Sequence, residues 1–124
     1  MSLSLPATVS ALQTVRDDMR RWLRSSGVDE RAAGDVVLAV WEACTNAVEH
    51  PMEPRSRELV VEADIGAAGV RVSIRDTGRW RPPSKRASRG LGLVVVSAVM
   101  DDVAIHRRSH GTEITMVRCL PAAE

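Results

Sequence analysis

Glu58-Leu59-Val60-Val61-Glu62-Ala63-Asp64-Ile65, continued after Gly66-Ala67-Ala68-Gly69 by Val70-Arg71-Val72-Ser73-Ile74-Arg75-Asp76, is the stretch from which the architecture can be read. Leu59, Val61, Ala63 and Ile65 alternate with Glu58, Val60, Glu62 and Asp64, and Val70, Val72 and Ile74 alternate with Arg71, Ser73 and Arg75. Successive strand residues point to opposite faces, so this pattern predicts an antiparallel hairpin with one covered and one wet face. Asp76 keeps the parity of Val70, Val72 and Ile74, and the pleat therefore sends a carboxylate to the covered face. Such a group is costly to bury unless it meets donors, either from a structural partner or from a ligand that offers N–H groups. Turn formation within Asp76-Thr77-Gly78 is the competing role for the same residue.

Upstream of the hairpin, Ser2 to Leu5 alternates polar and apolar residues and predicts a short strand closed by Pro6. From about Ala7 the apolar positions become Leu12, Val15, Met19 and Trp22 or Leu23, at helical spacing. Gly27 stops that helix, and Asp29 is placed to cap a second one with the stripe Ala33, Val36, Val40, Ala43 and Ala47, ended by Pro51 and Pro54. Downstream, residues 77 to 89 are rich in Pro, Ser, Gly and cations, and predict a loop into a third helix near Gly90 to Met100. Asp101 to Arg107 and Thr112 to Leu120 predict a closing hairpin around His110-Gly111. The order strand, two helices, hairpin, loop, helix, hairpin predicts an α+β, two-layer sandwich: a mixed, mostly antiparallel sheet with about three helices on one face.

With 124 residues and no internal repeat, linker or low-complexity tract, the expectation is one domain over residues 1–124. Seventeen basic residues against 16 acidic ones give a formal net charge of +1, so no global field draws the chain to nucleic acid or an anionic membrane. Phe and Tyr are absent and Trp occurs three times, which removes the stacking platforms of single-strand and RNA readers. No run is long enough to span a membrane, and the first residues lack the basic and apolar regions of a signal peptide. A soluble cytoplasmic protein is expected. Cys44 and Cys119 each fall in an apolar periodic segment, where buried reduced thiols are expected in place of a disulfide or a metal pair.

In Glu42-Ala43-Cys44-Thr45-Asn46-Ala47-Val48-Glu49-His50, the residues Glu42, Asn46 and His50 follow at intervals of one helical turn and share a face. A solvated helix face is the ordinary reading of such a stripe. Asn is a poor residue for a helix interior, however, and the small neighbours Ala43 and Ala47 leave room for a ligand. Arg89-Gly90-Leu91-Gly92-Leu93 opens the third apolar helix, and free N–H groups beside glycine suit a phosphate. By itself the glycine pair is a weak signal, since it has neither the lysine of a Walker motif nor the preceding strand of a dinucleotide fingerprint.

Taken together and in this order, these segments resemble the Bergerat ATPase family of histidine kinases, gyrase, Hsp90 and MutL, and most nearly its anti-sigma-factor serine kinase branch. Glu42 to His50 resembles the N-box of that branch, Asp76-Thr77-Gly78 its first glycine box, Gly90 to Leu93 its second, and Gly111-Thr112 its closing strand motif. The resemblance implies ATP and Mg²⁺ as cofactors. It makes Glu42 the base and Asn46 the metal ligand. Asp76 would accept a hydrogen bond from the adenine amino group, supported by Thr112, while Gly78 leaves space for the ring. Gly90, Leu91, Gly92 and Leu93 would wrap the phosphates. Arg89 either reaches the terminal phosphate or is an exposed solubilising cation. His50 suits a helix C-terminal cation or cap, Trp41 suits packing, and Trp80 suits a partner contact or a lid anchor.

The chain also departs from the family pattern. Gly78 is followed by Arg79-Trp80, where a second glycine is common, and the lid is short, basic and stiffened by Pro82-Pro83. No phospho-accepting histidine helix precedes the N-box, which argues against a complete sensor histidine kinase. The resemblance implies a serine/threonine kinase of transcriptional stress regulation that phosphorylates a STAS-type anti-anti-sigma protein, sequesters a sigma factor, or both, in a branch where homodimers are common. Its alternatives are a non-catalytic ATP-dependent partner-switching module and the kinase domain of a larger signalling protein.

Overall fold

A computed structural model describes residues 1–49, 58–76, 94–108 and 111–121, with only the backbone described at 46–49, 107 and 108. Helix α1 (Val9–Ser25) starts where Thr8 Oγ1 accepts a hydrogen bond from the Ala11 N–H at 3.3 Å, satisfying one of the donors left open in a first turn. It ends at Gly27, whose φ of 81° suits a residue without Cβ. Asp29 caps α2 (Glu30–Glu49) as its sequence position predicts: Oδ1 accepts from the Ala32 N–H at 2.8 Å. A third helical stretch, α3, covers residues 94–99. The expected helix start at Gly90 and the stops at Pro51 and Pro54 lie outside the described residues.

Five strands, β1 (Ser2–Pro6), β2 (Glu58–Gly66), β3 (Gly69–Asp76), β4 (Asp102–Arg108) and β5 (Gly111–Arg118), form one sheet in the order β1-β2-β3-β5-β4. All four pairings are antiparallel. The register lines residues up in rows across the strands. Leu3, Val61, Ile74, Ile114 and Ile105 form one row, and Ala63, Val72, Met116 and Val103 another. Against this covered face pack Leu12, Val15, Met19 and Leu23 of α1, Val36, Val40 and Ala43 of α2, and Val96 of α3, so all three helices share one core. Fully burying an aliphatic side chain of this size stabilises by roughly 1.5–3 kcal/mol, which is why the periodic stripes dominate the choice of fold.

The opposite face is wet, as the alternation predicts. Arg75 lies 2.9 Å from Glu62 and 3.9 Å from Glu113, a half-exposed ladder of charge that contributes about 0–1 kcal/mol per pair. Two expectations need correction. Ile65 is 39 % exposed in spite of its parity, because it sits at the hairpin tip beyond the reach of the helices. Cys119 is exposed and only Cys44 is buried: Cys119 follows the last residue of β5, where the covered face has ended. Both thiols are free. Among the described residues no helix is long and apolar enough to cross a membrane.

Candidate active site

The row that follows Ile74 and Ile114 toward the end of the sheet is Leu5, Leu59, Asp76 and Thr112. Its apolar half is ordinary core. Its other half holds the buried polar side chains of the described chain, Asp76 at 2 % exposure and Thr112 at 4 %, and these two are direct cross-strand partners. The pleat thus places the carboxylate where the alternation predicts. Asp76 does not stand alone there, as a buried carboxylate must not.

An ion pair far from this row anchors the early part of α2 to the sheet. Arg118 Nε lies 3.1 Å from Asp35 Oδ2, and Arg118 is paired in the sheet with Val70, at the start of β3. The early part of α2 therefore lies over the Arg118 end of the sheet. From Asp35 the helix rises about 1.5 Å per residue and reaches residue 46 after roughly 16 Å. Strand β5 runs back from Arg118 to Thr112 over roughly 20 Å at about 3.4 Å per residue. A helix that ran along β5 from this anchor would bring its Glu42-to-Asn46 part toward the Asp76–Thr112 end.

Glu42 is half-buried, between the fully buried Ala43 and the partly buried Trp41. The Trp41 ring packs against the core and under the Arg16 guanidinium, 5.1 Å from its centroid, in keeping with a packing role. Thr45 Oγ1 donates to the Trp41 carbonyl at 2.7 Å, which ties its hydroxyl to the helix backbone. Two positions beyond Glu42, on the core side, burial pushes the Cys44 thiol up to about 12, which keeps it protonated and inert. The backbone at Asn46 is helical; His50, Gly78, Trp80, Arg89, Gly90, Leu91, Gly92 and Leu93 lie outside the described residues. Among the described residues no group of three or more His, Cys, Asp or Glu side chains could hold a metal ion.

The Arg118 cluster has no local signature, since its partner Asp35 is 83 residues away in sequence. The Asp101 carboxylate joins it: Oδ2 accepts from the Cys119 N–H at 2.7 Å and lies 3.8 Å from Arg118 Nη1.

The sequence profile of the histidine kinase-like ATPase domain matches residues 5–118, and the chain belongs to that family. More particularly, it is similar to the RsbU and RsbW domains of Rv1364c from Mycobacterium tuberculosis, with 32 % identity and a TM-score of 0.77 over 98 % of this chain and 34 % of that one. The histidine kinase domain of the blue-light activated histidine kinase EL346 from Erythrobacter litoralis shares the fold, with 18 % identity and a TM-score of 0.60 over 90 % of this chain and 59 % of that one. The chain thus spans about a third and about three-fifths of these two solved structures.

Proposed function

We propose that this domain binds Mg²⁺-ATP and transfers its terminal phosphoryl group to a serine or threonine of a STAS-type anti-anti-sigma protein, acting as a sigma-factor antagonist in the same switch. The observation that supports the reading is the buried Asp76–Thr112 pair at one end of the sheet, with the early part of α2, the helix that carries Glu42, anchored at the other. A carboxylate held in a nearly dry site is an acceptor suited to an amino group on a flat heterocycle, and the Thr112 hydroxyl beside it can donate or accept. Gly78 follows two residues later in the chain, and Gly90 to Leu93 immediately precede α3.

In this reading the Glu42 carboxylate takes the proton from a seryl hydroxyl. The seryl oxygen forms a bond to the terminal phosphorus, and the bond between that phosphorus and the β–γ bridging oxygen breaks. ADP leaves with the electron pair. Mg²⁺ would supply charge neutralisation at the phosphates, and Asn46 would hold it as a single hard amide ligand, since this ion keeps several waters and seldom needs a cage made wholly of protein. Arg89 and the basic segment through Arg79, Arg81, Lys85 and Arg86 add positive charge for the triphosphate.

Incubation with Mg²⁺-ATP and candidate STAS proteins, followed by mass spectrometry for phosphoserine, tests the proposal. Glu42→Ala is expected to keep ATP affinity and to lose phosphotransfer by about 10²–10⁴-fold; equal transfer by the variant excludes Glu42 as the base. Nucleotide binding without transfer to any candidate would favour a switch that uses ATP only to set its shape. The similarity to one portion of a longer chain supports a further reading, in which this domain is the kinase unit of a larger signalling protein.

A further inference from the structure

The elements that lead to the proposed site meet again at their far ends, on one side chain. Arg118 closes β5, whose other end is Thr112, and its Nε donates to Asp35 Oδ2 at 3.1 Å. Its Nη1 donates to the Cys119 carbonyl at 2.6 Å and faces the Asp101 carboxylate at 3.8 Å. Asp101 directly follows Met100 at the end of α3, and its N–H donates to the Val117 carbonyl at 2.8 Å. A cleft lined by Asp35, Val99, Met100, Asp101 and Arg118 marks the place where α2, α3 and β5 come together.

Spacing along α2 gives this junction its consequence. Asp35, Glu42 and Asn46 lie seven and then four residues apart, so they occupy one stripe of the helix. Whatever fixes Asp35 fixes the rotation and height of the helix that presents Glu42. The Arg118 side chain is 22 % exposed and that of Asp35 29 %, so water screens the pair less than a fully exposed one. The planar guanidinium fork meets two carboxylates and a carbonyl at once, which a point charge cannot do. The Asp35 contact holds α2, and the Asp101 contact holds the end of α3, the helix that Gly90–Leu93 precede in the sequence.

We infer that Arg118 is a positioning residue for the nucleotide reaction, setting α2 and α3 against β5 from the end of the sheet remote from the site. The inference rests on the ATP reading above and adds a residue outside its motifs. Because the two carboxylates hold different elements, their removal has different effects. Loss of the Asp35 contact releases the helix that carries Glu42, and loss of the Asp101 contact releases the end of α3.

The test uses the full chain with Mg²⁺, measuring the affinity for mant-ATP and, with a STAS protein present as acceptor, the turnover of saturating ATP, well below the unfolding midpoint of each variant. Arg118→Met is expected to lower saturated turnover about 10–100-fold, the scale of an ångström of misplacement. Asp35→Asn is expected to act mainly on turnover and Asp101→Asn mainly on mant-ATP affinity, with Arg118→Lys recovering part of the loss. Asp35→Asn added to Arg118→Met should cost no further turnover, since both act through one contact. A folded Arg118→Met protein with parental turnover and affinity overturns the inference, even if its melting temperature drops. If Arg118→Met does not fold, parental values for both Asp35→Asn and Asp101→Asn overturn it equally. Failure of the parent to bind mant-ATP is a separate result, which removes the ATP reading itself and this inference with it.

Discussion

Replacing Asp76 by Asn keeps the shape of the side chain and changes its charge and what it can donate and accept, so it tests adenine recognition directly. Asp76 is 2 % exposed and sits on the covered face of β3 beside Thr112, where little water competes for its oxygens. A hydrogen bond to a charged group in such a place contributes about 1.5–3 kcal/mol, or roughly 10–150-fold in affinity. Asn can still offer its carbonyl to the adenine amino group, but it can equally turn its own amino group inward. Guanine carries an acceptor where adenine carries that amino group, so the variant loses on ATP and gains on GTP. The expected result is a fall in ATP affinity of at least about tenfold with a narrowing of the ATP-to-GTP preference, measured by calorimetry with Mg²⁺ and each nucleotide. Stability should hold, because an amide is cheaper to bury than a carboxylate. A variant that keeps the parental ATP-to-GTP ratio refutes the assignment.

Two further predictions concern the frame around the site. Gly69 has φ of 116°, and a Cβ there would run into the Arg118 carbonyl and lie 2.8 Å from the Cys119 Cα; Gly69→Ala is expected to lower the melting temperature by about 8 °C or more in thermal denaturation. The Cys44 thiol stays protonated until about pH 12 when folded and ionises near its ordinary 9.0 when unfolded, so the unfolded chain releases the proton first. Stability is therefore lost as pH rises from 9 toward 12, by up to ~1.4 kcal/mol per pH unit. The fall in melting temperature above pH 9 should be shallower in Cys44→Ala, and iodoacetamide should modify Cys119 but spare Cys44 in the folded protein.

Most of the frame was legible because it rests on periods. Leu12, Val15, Met19 and Leu23 recur at helical spacing and are buried together; Val70, Val72, Ile74 and Asp76 alternate and share one face. Caps read equally well when they have a local signature, as at Asp29, whereas Thr8 has Ser10 two residues on as a second residue of capping type. The pairing of Asp76 with Thr112 could be expected only through a family pattern, since no period relates residues on strands separated by a helix. The Arg118–Asp35–Asp101 cluster had neither period nor motif to announce it, and Arg118 reads along the chain as one more solvated strand-end cation. Ile65 and Cys119 mark the limit of alternation as a guide: parity gives the face, and the extent of the covering helices decides whether that face is buried.

The register of β3 against β5 links the two ends of the molecule in a way that neither end could achieve alone. With Asp76 opposite Thr112, the same ladder sets Val70 opposite Arg118, and so the placement of Arg118 between Asp35 and Asp101 is decided by the pairing that builds the buried polar row. A slip of β5 by one residue would set Glu113 or Gly111 against Asp76 and turn Ile114 and Met116 to the wet face. In the first case two carboxylates would meet in the driest part of the sheet, and in the second the row would lose its hydroxyl. Either slip also carries Arg118 about 3.4 Å away from Asp35, beyond the reach of its 3.1 Å contact without a rearrangement of α2. Core burial, the composition of the site and the anchoring of α2 thus all select the same register. A chain with few aromatic residues and a nearly neutral charge can in this way hold a buried carboxylate at a fixed place.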